Sequence, residues 1–167
     1  QAWNTVCASG GDLFADARFV SVVEESMGKD TQCWPVVVDD EAGHPVAVTC
    51  LSLYQVDGAL LMGPWLKHMV QSVRWIWDRY FRFRILFCGL PVSAGQKTLA
   101  VIPRADRAKV LEAIDAALCG LARQLRVRLI VWKEFGPEDC CWLAPLKNRG
   151  YIQADSLPMN CFEARFA

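Results

Sequence analysis

Residues 106–132 read DRAKVLEAIDAALCGLARQLRVRLIVW. Val110, Leu111, Ile114, Ala117, Leu118, Leu121, Ala122 and Leu125 recur at three- and four-residue steps, the period of a helix that buries one face. Arg107, Lys109, Glu112, Asp115 and Arg123 are assigned to the opposite, polar side. The period then changes. Val127-Arg128-Leu129-Ile130-Val131-Trp132 is a short β-branched and aromatic run, closed by Lys133-Glu134-Phe135-Gly136, and it reads as a strand. Upstream, Arg82-Phe83-Arg84-Ile85-Leu86-Phe87-Cys88-Gly89 alternates and then becomes continuously apolar, as a central strand does. The expected fold is therefore α/β (α+β): a central, twisted, mixed sheet, mostly antiparallel and flanked by helices. In it the strands at 84–90 and 127–133 are neighbours, with helix 106–124 packed across them.

Working outward, Trp34–Val38 and Val46–Tyr54 flank the acidic turn Asp39–Pro45 and read as a β-hairpin. Leu13, Phe14, Ala17, Val20, Val23 and Met27 predict a first helix over 13–27, stopped by Gly28 and preceded by a short apolar strand-like piece at 2–7. Leu60-Leu61-Met62 is a short strand or a loop. Trp65, Leu66, Met69, Val70, Val73, Ile76, Trp77 and Tyr80 predict a helix with a core-facing stripe. A strand-like piece at 98–102 precedes the long helix. A short helix runs from Pro137 to Arg149, and strands at Tyr151–Gln153 and Met159–Phe166 close the chain. No repeat, linker or low-complexity stretch interrupts it, so 1–167 is one domain.

Composition bounds the function. The 167 residues are 53% hydrophobic and 22% charged, which requires a dense core and excludes disorder. Eighteen basic residues balance eighteen acidic ones, so no global field gathers nucleic acid. No apolar run reaches the roughly 18 residues of a membrane span. Gln1-Ala2-Trp3-Asn4 has no signal-peptide character and no initiator Met, so a trimmed chain or a piece of a longer one is expected. Of the eight cysteines, Cys33, Cys50 and Cys88 sit in strand-like apolar runs and Cys119 in a helical one, while Cys140-Cys141 reads as a helix-start coincidence. No C-x-x-C pair occurs, and His44 and His68 have no partner at ligand spacing. Reduced thiols, no metal and a cytoplasmic location follow as expectations.

The order of the second half, with Phe87-Cys88-Gly89-Leu90-Pro91-Val92-Ser93, Val131-Trp132-Lys133-Glu134-Phe135 and Leu146–Tyr151 running into Ser156–Met159, resembles the GNAT acyltransferase superfamily. It is most similar to the first domain of FemAB-like tandem-GNAT proteins. The resemblance spans most of the chain from about residue 13. It implies acyl or aminoacyl transfer to an amine, with the chemistry mainly in a second domain that would begin near Ala167. It implies acyl-CoA or aminoacyl-tRNA as donor, with neither held by this chain alone. One departure is specific. GNAT enzymes bind the CoA pyrophosphate on a glycine-rich loop at a helix N-terminus. Here that approach is Ala100-Val101-Ile102-Pro103-Arg104-Ala105-Asp106, with no glycine and a carboxylate in the phosphate position.

Glu134 and Lys133, at the end of their strand, are the candidate catalytic pair: a carboxylate to deprotonate an amine and an ammonium to hold an acyl or phosphate oxygen. A surface ion pair is the plainer reading. Gly89, Ser93, Gly95, Gln96 and Lys97 form a candidate anion-binding (cofactor) loop, with a plain turn as the alternative. Lys67, Arg74, Arg79, Arg82 and Arg84 are interleaved with aromatics over 65–84, a pattern that suits tRNA or an anionic membrane surface. A core-facing helix with a basic rim is simpler. The weak alternation at 151–167 leaves a strand edge open, so self-association or another protein chain is expected there. The competing functional class is a non-catalytic binding or scaffold module with a degenerate GNAT fold.

Overall fold

The structure, a computed structural model, describes residues 2–7, 16–27, 31–90 and 98–155. Two helices open the chain, α1 (Ala2–Cys7) and α2 (Ala17–Met27). Strands β1 (Thr31–Asp39) and β2 (Pro45–Asp57) follow as an antiparallel hairpin, paired from Thr31–Tyr54 to Val38–Ala47. Their turn forms because the Asp40 carboxylate accepts from the amides of Ala42 and His44, at 2.9 and 2.8 Å, while Gly43 takes a positive φ. Pro35, which has no N–H to give, is tolerated because β1 is an edge strand.

A 3₁₀ turn at Gly58–Leu61 leads to α3 (Pro64–Arg74) and then to β3 (Arg82–Cys88), antiparallel to β2. The chain leaves the sheet after β3 and returns as β4 (Ala100–Val101), which pairs with Ala47 and Val48 of β2 beyond the end of β3. Helix α4 (Arg107–Leu125) carries the chain to β5 (Leu129–Trp132), which lies parallel to β3 with Ile85 opposite Leu129 and Cys88 opposite Trp132. A 3₁₀ turn at Pro137–Asp139 and two short helices, α5 (Cys140–Leu143) and α6 (Pro145–Asn148), follow.

The sheet order is β1-β2-β3-β5 with β4 beside β2, so one pairing is parallel and the others antiparallel. Helix α4 covers one face, packing Val110, Ile114, Leu118 and Ala122 on Leu51, Leu53, Leu86 and Cys88. Helices α1 and α2 cover the other, where Val6 meets Val48, and Val20 and Val23 meet Cys33 and Cys50. Because both faces are covered, β2 is buried without a break from Val46 to Leu53, which explains why it reads as a continuous apolar run. Cys33, Cys50 and Cys88 are thus core side chains, and burial pushes the Cys88 thiol up to about 12. Among the described residues no helix is long and apolar enough to cross a membrane.

Four expectations need correction. The piece at 2–7 is a helix that lies on the sheet face, where Val6 packs against Val48 and Ala100. Residues 60–62 are neither strand nor plain loop: Leu60 and Leu61 finish a 3₁₀ turn started by the Asp57 carboxylate, which accepts from the Ala59 amide at 2.9 Å. Helix α3 ends at Arg74, and most of its apolar side chains face away from the core. Tyr151–Gln153 is irregular, pulled onto α4 by side-chain bonds described below; Met159–Phe166 and residues 13–15 lie outside the described residues.

Candidate functional site

The parallel strands β3 and β5 end together, and the chain turns sharply at both ends. The Lys133 amide reaches the Cys88 carbonyl at 3.4 Å as the last rung. On the β3 side, Gly89 adopts φ +132, where a side chain is strained whatever the room. Its amide donates to the Cys50 carbonyl at 2.9 Å, and its own carbonyl accepts from the Ser52 hydroxyl at 2.5 Å. A Cβ on Gly89 would stand 3.3 Å from Cγ of Lys133 and 3.4 Å from Oγ1 of Thr98. The glycine therefore makes both the turn and the close approach.

On the β5 side, Glu134 takes φ 68, a left-handed conformation that non-glycine residues adopt rarely and at some cost. Lys133 Nζ and Glu134 Oε1 lie 3.2 Å apart, and their side chains are only 20% and 15% exposed. That is less open than a surface ion pair. The Lys133 ammonium also stands 5.8 Å from the centre of the Phe87 ring. Behind the pair, Phe135 packs between Trp132 and Trp142 at 6.0 Å from each ring, and Asp139 fixes that wall by accepting from Nε1 of Trp142 at 3.0 Å. A half-sheltered carboxylate and ammonium beside a glycine turn can hold an ammonium or amine and take a proton from it.

Of the sites expected from sequence, Lys133, Glu134 and Gly89 come together. Ser93, Gly95, Gln96 and Lys97 lie outside the described residues. The approach to α4 is built unlike a phosphate loop. Ala100 and Val101 are locked in β4, the Ile102 amide bonds the Val46 carbonyl at 3.0 Å, and Asp106 caps the helix. The Asp106 carboxylate accepts from the amides of Ala108 and Lys109 at 3.0 and 3.4 Å, so donors that would otherwise face an anion are engaged from within the chain.

Two clusters were missed or misplaced by sequence reasoning. Asp115, assigned to the polar side of its helix, is 4% exposed. It accepts from Nη1 of Arg149 at 2.8 Å and from the Tyr151 hydroxyl at 2.7 Å. Burial first, and then the Asp115 carboxylate, hold the Tyr151 hydroxyl protonated well above its ordinary range, while Asp115 raises Arg149. Trp132 keeps its indole N–H buried with no hydrogen bond of ordinary geometry, although the Tyr151 hydroxyl is close enough to feel it. The second cluster is the aromatic stripe over 65–84, expected in the core. Trp65, Trp75, Ile76 and Trp77 are all exposed, whereas Val70 alone in α3 is buried.

No protein-family model matches the chain, and no curated protein matches it significantly. Among solved structures, the chain is similar to crystal structures of variants of the BH1408 protein from Bacillus halodurans. A phenylalanine-to-arginine mutant of that protein is 16% identical, with a TM-score of 0.50 over 96% of this chain and 88% of that one. A tetramutant aligns at 15% identity and a TM-score of 0.49, over 86% and 73%. At that identity the likeness speaks for the fold alone: a mixed α/β chain with a mostly antiparallel sheet flanked by helices.

Proposed function

We propose that this chain is an acyltransferase-like domain of GNAT type, the first half of a FemAB-like tandem protein with the chemistry mainly in its second domain, and that its own part is to hold and deprotonate the amine acceptor. The observation that supports it best is the parallel pair β3–β5 joined through α4 and ending at Gly89 and the sheltered Lys133–Glu134 pair. In this reading the Glu134 carboxylate takes a proton from the acceptor's ammonium, and Lys133 steadies the acyl oxygen. The amine nitrogen then bonds the acyl carbon as the donor's thioester or ester bond breaks, and the leaving sulfur or oxygen takes up a second proton from that nitrogen, the amide product keeping the third. The donor, acyl-CoA or aminoacyl-tRNA, is held by the second domain, and the cytoplasm is where both donors occur.

The competing reading, a non-catalytic binding or scaffold module, draws on Asp106, whose carboxylate fills the amides of α4. Either form pairs with another polypeptide, or with itself, through the region from Tyr151 onward, where Ile152 is 92% exposed. Calorimetric titration of the chain with acetyl-CoA and then with longer acyl-CoAs tests the division of labour. No saturable heat is expected. Saturable binding of any of them overturns the half-domain reading.

A further inference from the structure

Helix α3, the turn after it and the strands it leads to carry two chemistries. Trp65, Leu66, Met69 and Val73 form an exposed apolar arc on the helix. Past its end, Trp75 and Ile76 are 89% and 85% exposed, and Trp77 stands beside them. Two residues after Trp77, Arg79 lines a hollow of about 340 Å³ with Arg82 and Arg84 of β3 and Gln55 of β2.

This tip is held, not frayed. Arg74 donates through Nη1 and Nη2 to the Asp57 carboxylate at 2.8 and 2.6 Å, and through Nε to the Tyr80 carbonyl at 2.9 Å. The amides of Ile76 and Trp77 both reach the Val73 carbonyl, at 3.0 and 2.9 Å. Beneath the tip, Phe81 and Phe83 meet edge to face at 5.1 Å. The fold thus fixes a Trp-Ile-Trp point in solvent, where a contiguous apolar patch is costly unless something covers it.

We infer that this face seats the protein on an anionic phospholipid bilayer, with Trp75, Ile76 and Trp77 entering the interface and the arginine hollow receiving lipid phosphate. Indole rings favour the boundary between headgroups and acyl chains. Guanidinium groups match phosphate geometry. Arg82 stands 3.5 Å from Asp78 and Arg84 donates to the Leu125 carbonyl at 3.1 Å, which still leaves the three-arginine hollow a net cationic rim on a chain that is neutral overall. A single-stranded nucleic acid fits less well: Leu66, Met69, Val73 and Ile76 have no ring to stack on a base. A second copy fits less well too, because it would bring arginine rim against arginine rim. No described helix spans a bilayer, so the contact is peripheral.

The test is flotation of the full 167-residue chain with vesicles of phosphatidylcholine alone and of phosphatidylcholine with phosphatidylglycerol, at low and raised salt. The chain floats with the anionic vesicles, less so in high salt, and stays behind with phosphatidylcholine. Arg79→Gln weakens binding about fivefold, as loss of one surface charge should. The double variant Trp75→Ala/Trp77→Ala weakens it about tenfold or more. Both variants melt at the parent's temperature, because the replaced side chains are solvent-exposed. Four results would each overturn the inference. One is a parent that does not float with anionic vesicles, and a second is variants that float equally well. Another is a stable dimer that Trp75→Ala/Trp77→Ala dissolves, and the last is single-stranded RNA displacing the vesicles.

Discussion

Replacing Asp115 by Ala probes how the segment after α6 is held against α4. The carboxylate lies in the buried row Leu111–Asp115–Leu118–Ala122 and accepts from Tyr151 at 2.7 Å, from Arg149 at 2.8 Å and, weakly, from the Cys119 thiol at 3.9 Å. A hydrogen bond to a charged group is worth about 1.5–3 kcal/mol. The Arg149 side chain is 39% exposed and keeps Glu112 at 3.3 Å, so its share is discounted for water and for the surviving partner. What remains is mostly the half-buried Tyr151 hydroxyl left without its acceptor. Asp115→Ala should therefore cost about 2–3 kcal/mol, and Asp115→Asn, which keeps an acceptor, about 1 kcal/mol. Urea denaturation with linear extrapolation reads both, with the slope unchanged. An Asp115→Ala protein within about 0.5 kcal/mol of the parent would refute the reasoning. Burial and, second to it, the same contact set an alkaline limb. Tyr151 is raised above its ordinary value of 10 in the folded chain, so its contribution is complete below pH 10 and is lost as pH rises toward the folded value. Tyr151→Phe should shrink that loss.

Gly89→Ala forces a side chain into φ +132 and against Lys133 and Thr98, and should destabilise by about 1–3 kcal/mol while displacing the Lys133 side chain. Asp57 is held down to about 2 by Arg74, so its contribution is complete above pH 3.8 and fades as pH falls toward 2. Acid titration of Asp57→Asn, followed by tryptophan fluorescence of the tip, should lack that step, and an unchanged step would show that the clamp is not what titrates.

Much of the fold was legible because the strongest patterns belong to the elements that build the core. The spacing over 106–124 gave α4, and the continuous apolar runs gave the hairpin, β3 and β5. The same spacing could have placed Asp115 correctly: it stands four residues after Leu111 and three before Leu118, inside the apolar stripe. Its charge argued for the surface, and only Arg149 and Tyr151, far along the chain, explain its burial. The stripe over 65–80 misled for the opposite reason. Helical periodicity shows that side chains share a face, not which side meets the core, and α3 buries only Val70. The strand expected at Tyr151–Gln153 lost to Asp115, which draws Tyr151 onto α4. Lys133, Glu134 and Gly89 were legible as strand ends, whereas the left-handed turn at Glu134 that shelters the pair carries no sequence signal.

The most direct test of the acceptor-site reading is a nitrogen-15 amide spectrum of the chain titrated with primary amines: amino acids, polyamines and amino sugars. At least one class should shift the amides of Gly89, Lys133 and Glu134 together and saturably, and Glu134→Gln should abolish the shift while leaving the rest of the spectrum in place. Amines that leave these amides unmoved, or shifts that persist in Glu134→Gln, would contradict it.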